Sequence, residues 1–422
     1  MRWDIFCRVI DNFGDVGVCW RLSRSLLARG ESVRLWLDDP TLLSWMAPWS
    51  KQVPLPSGLT VLPWSQAEVA EVADVPDVRE AREEPGDVVI ESFGCNLPEA
   101  FLARMKHRAD AGRAPAWINL EYLSAEGYVE RSHGLPSPVM SGPAAGLRKH
   151  FFYPGFTPRT GGLLHPLQPV PTSRAEVLAL RRQLFRTHPS LEATSPYRFH
   201  PWVLLFCYDT APVGDVLDAL SRQAQQSDWP ATLVMLAPGA ATRLGQRWKD
   251  AKLSEASDGP AEAAARLSQH LVLHPLPSLP QHTFDLILQA TDLNLVRGED
   301  SAVQALWPGR PHLWQLYVQD DGAHADKCGA FLQRWTRELS DWPPALREQV
   351  TAWCRHWNGL APQGEAQQPG GAPPALPPFP AWWQNPPTAP TPWHAAQAAS
   401  AEALATQEDL VTQLMAFVKA SG

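Results

Sequence analysis

A regular alternation of short apolar runs with longer helical stretches is the feature that most constrains this chain, and it occurs twice along the sequence. In the first half, residues 16–29 form a predicted helix that ends at Gly30, and the predicted strands are WDIFCRVI, SVRLWLDD, DVVIESFG and APAWINLEYL. This alternation is typical of βαβ crossovers, in which helices join parallel strands. The first half is therefore predicted to form a parallel α/β sheet.

A second series of the same kind follows the predicted helix SRAEVLALRRQLFRTH. Its predicted strands are WVLLFCY, ATLVMLAP, HLVLHPL, LNLVRG and PHLWQLY, separated by the predicted helices PVGDVLDALSRQA, QHTFDLILQAT and EDSAVQALWPG. The fold class is therefore α/β, with a second open sheet of similar size to the first. Such sheets bind ligands at the carboxyl ends of their strands, so a cleft between the lobes is the expected site.

Composition along the chain suggests where the lobes end. We assign residues 1–170 to the first lobe and residues 171–358 to the second. Residues 134–164 are rich in Gly and Pro and lack periodicity, which predicts loops that complete the first lobe.

The C-terminal part of the sequence changes character twice. Residues 359–395 are so dense in Pro that we expect an exposed, partly disordered insertion, with Trp382 and Trp383 as points of attachment. Residues 396–422 have apolar residues at helical spacing and are predicted to form one terminal helix that packs back onto the first lobe.

Net charge, hydropathy and the placement of cysteines argue against several kinds of partner and location. The formal net charge of −8, without any block of Lys or Arg, argues against nucleic acid as a partner. No run of 18 apolar residues is present, so we expect no membrane span and no membrane partner. Asp4 lies within the N-terminal stretch, where a secretory signal would have an apolar segment, so we expect no secretory signal. The six cysteines are scattered and form no C-x-x-C pair, which predicts buried thiols in a reducing, cytoplasmic setting.

The turn after the first predicted strand, VIDNFGDVG, carries two carboxylates, Asp11 and Asp15. Its glycines, Gly14 and Gly17, do not have the G-x-G-x-x-G spacing that a dinucleotide needs, and two carboxylates would repel a diphosphate. The turn suits a cation or a proton instead. Two interpretations of Asp15 remain open, an N-cap of the following helix and a working carboxylate, and Asp11 is equally undecided.

The second informative stretch, TDLNLVRGEDSAVQALW, places the start of a helix directly after a strand. A helix start offers unpaired N–H groups to an anion, and Arg297 adds a positive charge. Glu299 and Asp300 are either ordinary residues of a first turn or ligands for sugar hydroxyls. A nucleotide-sugar would use both kinds of group.

Aromatic and amide side chains elsewhere in the second lobe are candidates for holding a base, although each one alone is equally compatible with a core or surface position. They occur at predicted strand ends and in a loop that enters a helix: Phe206, Tyr208, Tyr317, Gln281 and Phe284.

Several of these stretches together resemble one family. The segments RWDIFCRVIDNFGDVGVCWRLSRSLLARG, WINLEYLSAEGYVERSHGLPSP, FFYPGFTPRTGGLL, LLFCYD, NLVRGEDSAVQALWPGRPHLWQLYVQ and AHADK are similar to the bacterial protein-arginine rhamnosyltransferases that modify elongation factor P. The resemblance extends from about residue 2 to residue 355 and leaves out the Pro-rich stretch.

The resemblance implies a GT-B glycosyltransferase with two Rossmann-like lobes facing across a cleft. It implies dTDP-β-L-rhamnose as donor, elongation factor P as protein acceptor, inversion at the anomeric carbon, and no metal or other cofactor. By its motifs, Asp15 is the general base and Asp11 supports it. Donor-binding roles carry over to Phe13, Gly14, Phe206, Tyr208, Gln281, Phe284, Arg297, Glu299, Asp300, Ser301 and Tyr317.

One position departs from the family pattern, and two other function classes remain as alternatives. Ser278 stands where the family typically has an aromatic residue, which leaves the stacking of the thymine base open. A nucleotide-dependent oxidoreductase or epimerase would need a phosphate turn after strand one. A non-catalytic interaction scaffold would instead use the Pro-rich stretch.

Overall fold

A computed structural model describes residues 1–9, 14–47, 54–69, 84–226, 229–257, 259–319, 321–361, 375–385, 387 and 389–421. The chain divides into two compact units. Met1–Leu167 and Gln407–Gly422 form the first unit, and Gln168–Thr406 form the second.

The regular elements follow the predicted alternation. The strands are β1 (Arg2–Cys7), β2 (Ser32–Leu37), β3 (Leu59–Pro63), β4 (Val88–Ser92), β5 (Ala116–Leu120), β6 (Pro136–Pro138), β7 (Arg148–Phe152), β8 (Trp202–Leu205), β9 (Thr232–Leu236), β10 (Leu271–Pro275), β11 (Leu293–Arg297) and β12 (His312–Gln315). The helices are α1 (Gly14–Leu27), α2 (Leu43–Met46), α3 (Glu99–Asp110), α4 (Gly127–Ser132), α5 (Arg174–Thr187), α6 (Val213–Gln226), α7 (Ala240–Ser254), α8 (Pro260–Ser268), α9 (Gln281–Ala290), α10 (Glu299–Leu306), α11 (Ala323–Gln333), α12 (Pro344–Trp357), α13 (Pro392–Ala405) and α14 (Leu410–Ser421).

The first unit is organised by a sheet with the strand order β3-β2-β1-β4-β5-β7-β6. Its strands pair in parallel, except that the short edge strand β6 runs antiparallel to β7. On one face, Ile5 packs in a buried cluster that includes Val16 and Leu22 of α1. On the other face, the rings of Phe6 and Trp36 are stacked with 5.2 Å between their centroids. Burial on both faces explains why the parallel strands read as almost continuous apolar runs.

The second unit is built on a parallel sheet with the order β10-β9-β8-β11-β12. From β8 the chain adds β9 and β10 on one side of the sheet, and it then returns to add β11 and β12 on the other side. The direction in which strands are added therefore reverses at β8. In open α/β sheets a reversal of this kind leaves a crevice at the carboxyl ends of the strands, where ligands bind.

Two expectations about secondary structure are wrong. Residues 134–164 are not only loops, because they contain β6 and β7. The sequence RKHFF of β7 has no alternation of polar and apolar residues, so its strand character comes from pairing with β5 and β6. The terminal stretch forms two helices rather than one, because Asp409 accepts hydrogen bonds from the backbone N–H groups of Val411 and Thr412 and so starts α14.

The two C-terminal helices belong to different units. Helix α13 lies in the second unit, whereas α14 lies in the first, where Leu410, Leu414 and Val418 join the apolar cluster beneath α1. Arg29, just after α1, donates to the Asp409 carboxylate at 2.7 Å. The last helix is therefore an integral part of the first unit.

In the described part of residues 359–395, many residues are exposed as expected, and Trp382 and Trp383 attach the stretch as predicted. Phe379, Trp382 and Trp383 are each less than 7% exposed. The Gln223 amide donates to the Phe379 carbonyl at 2.6 Å, and the Arg174 guanidinium lies 4.7 Å from the centre of the Trp383 ring. Aromatic burial holds this irregular stretch against the second unit.

The cysteines and the longest helices bear on two further predictions. All six cysteines are buried free thiols, which confirms that part of the prediction. Among the described helices, none is both long and apolar enough to cross a bilayer.

Candidate functional site

Predicted residues of the second unit converge where β8, β11 and β12 end. The Phe206 N–H donates to the Leu295 carbonyl at 2.8 Å, so the chain leaving β8 still follows β11. Strands β8 and β12 end at Leu205 and Gln315, so Phe206, Tyr208 and Tyr317 lie just beyond the strands and not within them. This position leaves the side chains available at the carboxyl edge of the sheet.

Arg297, the last residue of β11, is held between two aromatic rings. Its guanidinium carbon lies 4.7 Å from the ring centre of Phe206 and 4.4 Å from that of Tyr208. The Arg297 Nε atom is buried and has no hydrogen-bond partner in the described part of the chain. Because cation–π contacts hold the group in place without neutralising its charge, Arg297 presents a fixed positive charge with an unused donor.

Gln315 fixes the loop that carries Tyr208, and sequence analysis did not single it out. This side chain is fully buried. Its Oε1 accepts the Tyr208 backbone N–H at 2.8 Å, and its Nε2 donates to the Thr210 hydroxyl at 3.2 Å. The segment NLVRGEDSAVQALWPGRPHLWQLYVQ, which contains Gln315, was part of the family resemblance. The Tyr208 ring also meets the ring of Tyr317 edge-on, with centroids 5.6 Å apart, and Tyr317 is 57% exposed.

The start of α10 follows Arg297 after a single residue, Gly298. Gly298 has a φ of 69°, in the left-handed region that glycine adopts without strain, which turns the chain sharply from strand to helix. Glu299 and Asp300 occupy the first turn of α10, and Ser301 follows as a partly exposed residue. The N–H groups of this turn and Arg297 therefore lie at the same edge of the sheet.

Both carboxylates of this turn have fixed partners. The Gln281 amide donates to Asp300 Oδ2 at 2.9 Å, which joins the start of α9 to the start of α10. The Lys327 ammonium, from α11, lies 2.6 Å from Glu299 Oε1. Lys327 was not among the predicted site residues, although the segment AHADK that contains it was part of the family resemblance.

A pair of aromatic rings lies next to these groups. The rings of Phe206 and Phe284 meet at 70° with centroids 5.3 Å apart. Phe206 contacts both Phe284 and the Arg297 guanidinium, so it connects the α9 side of this edge with β11. Ser278 is exposed and contributes no ring.

In the first unit, Asp15 lies in the first turn of α1, at the carboxyl end of β1. Helix α1 begins at Gly14, so Asp15 is its second residue and the N-cap interpretation is wrong. Its side chain is buried, with 3% exposure. Asp11 and Phe13 lie outside the described residues, whereas Gly14 is the first residue of α1.

Two cysteines mark the surroundings of Asp15. The Cys7 pKa is raised by a hydrogen bond with Cys19, by burial, and by the negative charges of Cys19 and Asp15. Cys19, one helical turn after Asp15, lies 3.3 Å from the Ser92 hydroxyl at the end of β4, measured from its sulfur. A buried carboxylate therefore lies near Cys7, at the end of β1.

Within the described ranges, no group of three or more His, Cys, Asp and Glu side chains is arranged to hold a metal ion.

The fold of the chain has a counterpart among solved structures. A solved structure concerned with EarP-mediated arginine glycosylation of translation elongation factor EF-P aligns over 100% of this chain and 99% of its own, with a TM-score of 0.50 and 23% identity. The fold is thus α/β with two Rossmann-like units, which is the GT-B class predicted above.

Sequence comparison narrows the class to one family. The profile of the elongation factor P (EF-P) rhamnosyltransferases, EarP, matches residues 3–419, and the chain belongs to this family. A protein-arginine rhamnosyltransferase of Pseudomonas putida is 38% identical over 378 residues, which cover 86% of this chain and 88% of the relative. One of Pseudomonas aeruginosa is 36% identical over 375 residues, with 85% and 88% covered.

Proposed function

We propose that this chain transfers L-rhamnose from dTDP-β-L-rhamnose to an arginine side chain of elongation factor P, with inversion at the anomeric carbon. The observation that carries the donor half of this proposal is the Arg297 guanidinium, held by two rings directly before the start of α10. A diphosphate favours a fixed positive charge beside the N-terminus of a helix, and Arg297 lies directly before the start of α10.

The remaining donor contacts follow from the same edge of the sheet. Glu299, Asp300 and Ser301 supply oxygens and N–H groups for the sugar and the phosphates. Phe206, Tyr208, Phe284 and Tyr317 supply aromatic faces for the base and ribose, with Gln281 at the start of α9. Because Ser278 is exposed and not aromatic, we propose that the pair of Phe206 and Phe284 provides the stacking surface for thymine.

For the acceptor, we assign the catalytic role to Asp15, with Asp11 as its support. An arginine side chain has a pKa above about 12, so a carboxylate does not deprotonate it in the ground state. Asp15 instead binds the guanidinium by charge-assisted hydrogen bonds and directs one nitrogen toward the anomeric carbon. The burial of Asp15 strengthens such a contact because the surrounding dielectric is low.

The reaction balances without a further reactant. The C–N bond forms between the guanidinium nitrogen and the anomeric carbon, while the bond from that carbon to the diphosphate oxygen breaks. Nitrogen acidity rises as the bond forms, and Asp15 accepts the proton. The departing dTDP carries the additional negative charge, which Arg297 and the first turn of α10 stabilise. We propose that no metal takes part.

The setting proposed for this reaction is the cytoplasm, supported by six buried free thiols. The decisive experiment is the intact mass of elongation factor P after incubation with this protein and dTDP-rhamnose. One added deoxyhexose, mapped to an arginine by fragmentation, is expected. If the mass of elongation factor P stays unchanged although the protein binds dTDP-rhamnose, the acceptor assignment is contradicted. A non-catalytic interaction scaffold would then be the better interpretation.

A further inference from the structure

We infer that Lys327 is a positioning residue of the donor site, which acts through Glu299 to make the start of α10 acceptable to a diphosphate. The inference rests on the proposed function, because it concerns the same donor site. Its basis is the 2.6 Å contact between the Lys327 ammonium and Glu299 Oε1.

The charges at this edge of the sheet show why a second cation is needed. Glu299 and Asp300 place two negative charges within the first turn of α10, where the anionic donor is proposed to bind. Arg297 alone offsets one of them. Lys327 offsets the other, so the four groups have a net charge of zero before the ligand arrives. A diphosphate would otherwise meet a net negative charge at short range.

The geometry adds a second effect of Lys327. Its side chain and that of Glu299 are 21% and 20% exposed, respectively, so solvent screens the pair only in part. The hydrogen bond to Oε1 fixes the rotation of the Glu299 carboxylate, and the site does not have to order this side chain when the ligand binds. Gln281 does the same for Asp300 from α9, but as a neutral amide it cannot compensate charge.

The position of Lys327 supports a role in the site rather than in folding. The residue comes from α11, which is separated in sequence from both α9 and α10. Its neighbour Cys328 is fully buried and anchors the helix, whereas Lys327 is directed to the carboxylate of another helix. Removal of this ammonium should therefore change the electrostatics of the site more than the stability of α11.

The test measures binding of thymidine diphosphate by calorimetry to the full chain and to Lys327→Met, Lys327→Arg, Glu299→Gln and the double variant Glu299→Gln/Lys327→Met. Lys252→Met is the matched control, because Lys252 also forms an ion pair, 3.0 Å from Asp218, and its loss changes the net charge equally.

We expect Lys327→Met to weaken binding about tenfold and Lys327→Arg to stay within about twofold of wild type. The double variant should recover most of the loss, because it has no uncompensated carboxylate. The loss should be larger at low salt, and KM for dTDP-rhamnose should rise more than kcat falls.

Three results would overturn the inference. Lys327→Met that binds as tightly as Lys252→Met would show that the ammonium is irrelevant to the donor. A double variant weaker than either single variant would show that Lys327 does not act through Glu299. Wild-type protein that binds no thymidine diphosphate would remove the donor site itself, whereas the first two results leave the proposed function intact.

Discussion

The guanidinium of Arg297 lies over the ring of Tyr208, with 4.4 Å between Cζ and the ring centre. This contact predicts that Tyr208→Leu weakens donor binding about three- to tenfold, because a cation–π contact worth about 1 kcal/mol no longer orients the charge. Calorimetry with thymidine diphosphate measures the change. Tyr208→Phe is the control, since it keeps the ring, and an equal loss in both variants would assign the effect to the hydroxyl.

Asp15→Asn is expected to abolish rhamnosyl transfer by at least about a hundredfold while thymidine diphosphate binding is retained, because the amide cannot accept the proton. Transfer is measured by the intact mass of elongation factor P. Asp110→Asn is the control, since Asp110 is exposed on α3 and pairs with Lys106. Transfer by Asp15→Asn at the wild-type rate would show that Asp15 is only a residue of a helix start.

Glu299→Ala is expected to raise the Kd of dTDP-rhamnose by about tenfold, because the sugar loses a charge-assisted hydrogen bond. Thymidine diphosphate, which has no sugar, should bind with much less change. Calorimetry with both ligands makes the comparison. Equal losses for the two ligands would place Glu299 at the nucleotide and not at the sugar.

Asp292→Asn is expected to destabilise the second unit by about 3 to 5 kcal/mol. Asp292 is buried and accepts from Arg181 at 2.7 Å and from Arg174 at 2.6 Å. Burial alone would raise the pKa of this carboxyl, but Arg181, Arg174 and Arg310 outweigh it and hold the pKa below its usual value. The stabilisation is therefore present at neutral pH and is lost as pH falls below about 4.

Thermal unfolding at pH 7 checks this prediction, with the exposed Asp341 changed to Asn as the control. A midpoint equal to that of Asp341→Asn would show that the three arginines do not depend on Asp292.

Burial of His312 is expected to make the stability of the fold depend on pH at milder acidity as well. Burial lowers the pKa of this histidine to about 4. The unfolded chain binds a proton at about pH 6.5, whereas the folded chain does not, so stability falls as pH drops from about 6.5 to 4. The contribution lost over that window is about 3 kcal/mol.

His312→Gln should make unfolding less dependent on pH in this window, as measured by denaturant titration at pH 7.5 and pH 5. His107→Gln, at an exposed position on α3, should leave the dependence unchanged. An identical pH dependence in the two variants would contradict the assignment to His312.

Many of the residues that meet where β8, β11 and β12 end could be singled out from the sequence because they belong to contiguous motifs. The stretch RGEDS contains the end of β11, the turn at Gly298 and the first turn of α10 in unbroken order. Local rules for strand ends and helix starts are enough to place such a motif. Gln315 and Lys327 were not singled out as site residues, because their local sequence does not show which group they contact. Gln315 accepts from the Tyr208 backbone N–H, and Lys327 pairs with the Glu299 carboxylate.

The same division applies to the fold. The alternation of apolar runs and helical stretches determined two parallel α/β sheets, since burial on both faces imposes a pattern on each strand and helix. Tertiary structure alone decided that RKHFF is a strand and that Phe379 is buried. These outcomes depend on partners distant in sequence, and the energies of pairing and burial exist only after the chain has brought those partners together.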